Sequence, residues 1–101
     1  MGKQLDRATK NFMVNKLQES IKTILNFLER ENNVGEKLYQ AYLEYIQSIA
    51  DILLKDYVFE EYQILLKDIS LIKQQDISNY SKLLQICSKL IDLGINIVEN
   101  Y

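Results

Sequence analysis

Apolar residues recur along the chain with the three- and four-residue spacing that is typical of α-helices. The first stripe predicts a helix over residues 6–31 and consists of Val14, Leu17, Ile21, Ile24 and Leu28. The segment that follows, 32–35, contains two asparagines and a glycine, residues that tolerate left-handed backbone. We therefore expect the first helix to end there in a tight connection.

A second helix is predicted over residues 36–55, and it is apolar around much of its circumference. Its main stripe consists of Leu38, Tyr42, Tyr45, Ile49 and Ile52. A second stripe lies beside the first and consists of Tyr39, Leu43, Ile46 and Leu53. We expect another protein, either a second copy or a foreign partner, to cover the surplus of this apolar surface.

The apolar phase of this helix is lost after residue 55, which favours a break in the chain. The pentapeptide Ile-Leu-Leu-Lys-Asp occurs at 52–56 and again at 64–68. On one continuous helix a shift of twelve residues rotates the copies by about 120°. We therefore predict a connection at 55–58 and a third helix that is capped by Asp56 and ends near Lys73. The alternative is a single long bent helix.

The third helix has its apolar stripe at Tyr62, Leu65, Ile69 and Ile72. A fourth helix is predicted after a cap at Asp76 or Ser78. Its stripe consists of Tyr80, Leu84, Cys87, Ile91, Gly94 and Val98. Four helices with short links favour one all-α domain over residues 1–101, an antiparallel up-down four-helix bundle. Three helices, with the second and third fused into a bent one, are the alternative.

The composition excludes several functions that helical bundles perform. The chain contains no histidine and a single cysteine. Histidine phosphotransfer, haem ligation and ferritin-like di-iron sites all need an imidazole, and zinc sites need several nitrogen or sulfur ligands. We therefore expect no catalytic residue, no metal and no cofactor, and we predict that the protein is not an enzyme.

The charge distribution makes nucleic acid an improbable main ligand, because the net charge is −2 and dedicated nucleic-acid binders are basic. Lys3, Arg7 and Lys10 nevertheless share one helical face and form a candidate basic face. No apolar run approaches the roughly 20 residues that cross a bilayer, and the first six residues lack the apolar segment of a signal peptide. These features predict a cytoplasmic protein without a membrane span.

Tyrosine is abundant, and three of the seven tyrosines lie on the second helix. Tyrosine suits interfaces because it combines an apolar body with a polar tip. The candidate protein interface is therefore Tyr39, Tyr42, Tyr45 and Ile46. The alternative is that these rings line the margin of the core with their hydroxyls in water.

The sequence thus favours a small helical module that binds protein, either its own copy as a homodimer or a foreign partner. An inhibitor or immunity-type protein of microbial, phage or mobile-element origin fits this description, with the origin indicated by the abundance of Ile, Asn, Lys and Tyr. The alternative function is an assembly subunit of a nucleoprotein complex that uses the basic face.

Overall fold

The computed structural model describes residues 5–101, and these form four α-helices joined by short connections. The helices are α1 (Arg7–Arg30), α2 (Glu36–Leu53), α3 (Phe59–Lys73) and α4 (Asn79–Asn100). The all-α four-helix prediction is confirmed. Residues 54–58 separate α2 from α3, so the alternative of one long bent helix is wrong.

Side-chain caps fix the starts of α1 and α4. Asp6 accepts the backbone N–H of Thr9 at 2.7 Å, and this bond lowers the pKa of the Asp6 carboxyl. Ser78 Oγ accepts the backbone N–H of Ser81 at 3.1 Å, so of the two predicted caps of α4 the structure uses Ser78. Each cap satisfies a backbone donor that the helix itself leaves free.

The predicted cap of α3 by Asp56 is wrong. After α2 the chain makes a further turn in which the Val58 N–H bonds to the Leu54 carbonyl at 2.8 Å. The N-cap of α3 is Val58, whose side chain makes no capping hydrogen bond. Asp56 lies two residues before this N-cap. Glu60 and Glu61 stand in the first turn instead, where carboxylates favour the positive end of the helix dipole.

The core lies between all four helices, and α4 packs extensively against both α1 and α3. The stripe predicted for α3 is buried as expected. In α1 the buried residues include Leu17, Ile24 and Leu28 of the predicted stripe. Ser20 is also buried, and its hydroxyl is satisfied because it donates to the Lys16 carbonyl at 2.9 Å.

The core-facing sides of α2 and α4 differ from the predicted ones. In α2 the secondary stripe is buried, together with Ala50, whereas Leu38, Tyr45 and Ile52 of the main stripe are exposed. In α4 the core residues are Leu83, Ile86, Cys87, Leu90, Leu93 and Ile97. The residues of the predicted α4 stripe that are exposed are Leu84, Ile91 and Val98. Both α2 and α4 have two apolar faces. Packing against the other helices of the bundle determines which face is buried.

Contacts at the helix ends show which ends are neighbours. The Leu5 N–H bonds to the Tyr101 carbonyl at 3.3 Å, so the start of α1 meets the end of α4. Asn79 Nδ2 donates to the Val34 carbonyl at 3.1 Å, which joins the start of α4 to the start of α2. An antiparallel up-down bundle requires these neighbours, and the full helix order stays a prediction. None of the helices within residues 5–101 has the length and apolarity to span a membrane.

Candidate protein-binding surfaces

Two apolar grooves flank α1, one on each side. The α1–α4 groove has a volume of ≈ 530 Å³. Its apolar lining consists of Val14, Leu17, Ile21, Leu25, Leu90, Ile91, Gly94, Ile95 and Val98. The smaller α1–α2 groove, ≈ 290 Å³, has an apolar lining of Phe12, Tyr45, Ile49, Ile52 and Leu53. Surfaces of this kind mark contact with other proteins when they are contiguous and rimmed by polar groups.

In the α1–α4 groove, α4 contributes three side chains that are about half exposed: Ile91 at 43%, Ile95 at 51% and Val98 at 54%. Gly94 lies between them, and a Cβ placed there would have no heavy atom within 4 Å. The groove therefore has a local notch at Gly94 that no part of the described chain fills.

The α1–α2 groove is the more aromatic of the two. Ile52 is 74% exposed, Phe12 56% and Tyr45 37%. Tyr45 Oη lies 3.5 Å from Ser20 Oγ, which is the upper limit of a hydrogen-bond distance. This contact therefore restrains the Tyr45 ring only weakly. At the edge, Lys16 Nζ lies 5.6 Å from the centre of the Phe12 ring and 3.6 Å from the Glu19 carboxylate. An apolar centre thus has a charged rim.

The predicted tyrosine interface is not one surface. Tyr39 and Ile46, seven residues apart, are both buried in the core. Tyr42 is half-buried and packs on Phe27 with ring centres 5.2 Å apart. Only Tyr45 reaches a groove, because it lies well over a quarter-turn away from the core-facing side of α2. Neither the interface prediction nor its core-margin alternative describes all four residues.

Tyr39 has a further property that the sequence does not reveal. Its hydroxyl is buried without a hydrogen-bond partner among the described residues. Burial raises the pKa of the Tyr39 phenol, and Lys82 Nζ lies 5.7 Å from the ring centre. The ring therefore serves packing within the fold.

The candidate basic face is only partly described. Lys3 lies outside the described residues, and Arg7 is exposed. Lys10 is half-buried and its Nζ donates to the Val98 carbonyl at 3.5 Å, where the end of the α4 dipole favours a cation. Lys10 thus contacts the chain's own α4, which leaves Arg7 as the described member directed at solvent.

Among the described residues, Cys87 and Tyr101 have the largest pKa shifts, and both pKa values are raised. Burial raises the pKa of the Cys87 thiol to about 11, so the reactive thiolate is scarce at neutral pH. Burial, and then the hydrogen bond to Glu61, raise the pKa of Tyr101 to about 12. Within residues 5–101 no group of three or more acidic or cysteine side chains is placed to hold a metal ion.

Sequence reasoning missed Phe12 and Ile95 as surface residues. Both are apolar residues that stand outside the predicted stripe of their helix, and this departure is the signal that points to an outward-facing side chain. No protein-family model, curated protein or solved structure matches this chain significantly. The two grooves are therefore the features of the structure from which a function is proposed.

Proposed function

We propose that the protein is a small binding module without catalytic activity, which acts by attaching to a foreign protein through the α1–α2 groove. The observation that carries this proposal is the cluster of Phe12, Tyr45 and Ile52, exposed side by side on two helices. Aromatic residues are enriched at the centres of protein interfaces because they bury a large area with little loss of side-chain freedom.

The arrangement of the groove supports a central anchor with a polar rim. Ile49 is half-buried and forms part of the floor, while Lys16 and Glu19 stand at the edge. Residues that dominate binding energy cluster at such desolvated centres, and rim charges contribute mainly to orientation. A groove of ≈ 290 Å³ accepts one or two large apolar side chains of the partner.

The specific form that we propose is an inhibitor or immunity-type protein of microbial, phage or mobile-element origin, which acts in the cytoplasm by covering a surface of its partner. A single buried free cysteine fits a reducing compartment. The role as a nucleoprotein assembly subunit stays a prediction from sequence, because Arg7 is the fully exposed described residue of the basic face and Lys10 is half-buried.

A photo-crosslinking amino acid at position 52, introduced in cells of the source organism, identifies the partner. The same residue at position 71 is the matched control, because Leu71 is also exposed, at 53%, but lies on α3. The captured partner is then titrated against purified variants. We expect Ile52→Glu to weaken binding at least about tenfold, since it buries a charge in the interface, and Leu71→Glu to change it less than about twofold. Equal effects of the two variants contradict the proposal.

A further inference from the structure

The outward side of α4 carries a second apolar face that is separate from the core. Leu84, Ile91 and Val98 are each seven residues apart, and Gly94 and Ile95 lie between the last two. We call these five residues the α4 seam. None of them is charged, and the charged residues of α4 lie elsewhere on the helix: Lys82, Lys89, Asp92 and Glu99. A spacing of seven residues keeps these side chains on nearly the same side of the helix, so they can meet one partner together.

Neither the backbone nor the packing of the described fold requires a glycine at position 94. A glycine inside a helix weakens it, because the backbone loses more freedom on folding than with any other residue. No glycine in the described chain has a positive φ, and the Cβ position of Gly94 is in open space. Neither the backbone conformation nor internal packing therefore requires glycine here. A notch that is open towards the groove suits a side chain that enters from outside.

We propose that a second copy of the chain occupies the α1–α4 groove, with the α4 seams of the two copies packed about a two-fold axis. In a two-fold contact residue i meets residue j and j meets i, so one notch and one ridge on the same helix complement each other. Ile91 of each copy then lies over Gly94 of the other. The two seams then run antiparallel and overlap between residues 87 and 98.

The charges at the groove edges permit this pairing. Lys22, Glu29 and Glu99 line the groove, one basic and two acidic residues. A face with charges of a single sign repels its own copy, whereas this mixed edge allows Lys22 to approach a carboxylate of the second copy. The edges also lack the basic excess by which amphipathic helices bind anionic lipid.

The size of the surface sets the expected affinity. From Leu84 to Val98 the seam runs about 21 Å along the helix, and α1 and α4 side by side are about 20 Å wide. The face therefore offers on the order of 400 to 500 Å² on each copy, about 800 to 1,000 Å² in total, which is the size of a weak, transient contact. We expect a reversible dimer with a dissociation constant in the micromolar range.

Molar mass measured by sedimentation equilibrium tests the proposal, over protein concentrations from about 1 to about 300 µM, which bracket a micromolar dissociation constant. We expect the mass to rise from 11.9 kDa towards twice that value. A mass that stays at 11.9 kDa throughout overturns the proposal and leaves the groove to a foreign helix.

Variants locate the contact. We expect Ile95→Glu and Gly94→Leu each to weaken the dimer at least about tenfold, because one adds a charge to the seam and the other fills the notch. Both positions are open to solvent in the single chain, so the circular dichroism spectrum serves as the check that the fold is intact. Ile64→Glu is the matched control, since Ile64 is 57% exposed on α3.

The two proposals fail separately. Ile52→Glu, in the α1–α2 groove, is expected to weaken binding of the foreign partner. It should leave the molar mass of the protein in solution unchanged. A dimer that survives both seam variants, or one that Ile52→Glu dissociates, overturns the assignment to the α4 seam. The capture of a foreign partner at position 52 bears only on the proposed function.

Discussion

Leu90 and Ile91 are adjacent in the chain and lie on different apolar faces of α4. Leu90 is 2% exposed and belongs to the core, whereas Ile91 is 43% exposed at the α1–α4 groove. Successive residues of a helix point about 100° apart. Two adjacent apolar residues can therefore lie on different faces, one towards the core and one towards solvent. The proposed contact between two copies rests on this second face.

The two neighbours should respond differently to truncation. Leu90→Ala removes buried methyl groups and leaves a cavity, so we expect the free energy of unfolding to fall by about 2 to 5 kcal/mol. Ile91→Ala should lower it by less than about 1 kcal/mol, because the side chain is half exposed in the single chain. Urea unfolding at low micromolar protein concentration measures both. Equal losses for the two variants contradict the assigned faces.

The helix caps give a second paired prediction. Ser78→Ala removes the side-chain bond to the Ser81 N–H, and we expect it to lower the free energy of unfolding by about 1 kcal/mol. Asp56→Ala is the control, because Asp56 caps no helix here, and its effect should stay within about 0.5 kcal/mol. A larger loss from Asp56→Ala than from Ser78→Ala would show that α3 begins at the site predicted from sequence.

Two tyrosines that differ in hydrogen bonding should respond differently to loss of the hydroxyl. The buried Tyr39 hydroxyl has no partner in the described structure, so Tyr39→Phe should leave the free energy of unfolding unchanged or raise it. Tyr62 Oη donates to Asp51 Oδ1 at 2.6 Å and joins α3 to α2, so Tyr62→Phe should lower it. Thermal unfolding compares the stability of the two variants, and Tyr39→Phe should be the more stable. A less stable Tyr39→Phe contradicts the burial of an unpaired Tyr39 hydroxyl.

Cys87 makes stability depend on pH in the alkaline range. Burial raises the pKa of its thiol from 9.0 to about 11, so the folded state holds the proton more tightly than the unfolded state. This contribution is fully present below about pH 9 and is lost as the pH rises towards 11, because the unfolded chain gains stability by ionising first. Tyrosines also ionise there, and Cys87→Ala corrects for them.

The measured quantity is the difference in the free energy of unfolding between the natural chain and Cys87→Ala. We expect this difference to be constant from pH 6 to about pH 8 and to decline between about pH 9 and 11. A difference that does not change up to pH 11 indicates a thiol that water reaches in the folded state.

The number and extent of the helices follow from the sequence because helix ends and apolar phase are local properties. The two asparagines and Gly35 mark the end of α1, and the change of phase after residue 55 marks the end of α2. The stripe of α3 was also predicted, since that helix has one apolar face. Residue type and position before an apolar run predict a cap of α4 at Asp76 or Ser78, and tertiary structure decides in favour of Ser78.

The core-facing sides of α2 and α4 could not be predicted, because each helix has two apolar stripes and periodicity gives them equal weight. The choice depends on tertiary contact: Tyr39 and Ile46 face the core, and Tyr45 faces the α1–α2 groove. The candidate interface mixed these two sides for the same reason. The predicted α4 stripe was assigned to the core, but of its members only Cys87 is buried, whereas Leu84, Ile91 and Val98 face outward.

Cross-linking between two copies tests the central claim of an outward apolar contact most directly. Ile95→Cys in a Cys87→Ala background places one exposed thiol on the α4 seam, and a short bis-maleimide joins two such thiols only when the copies pair there. We expect efficient dimer formation at about 100 µM protein and its loss when Gly94→Leu is added. Ile64→Cys in the same background is the control and should cross-link poorly. Equal yields from positions 95 and 64 would contradict the account.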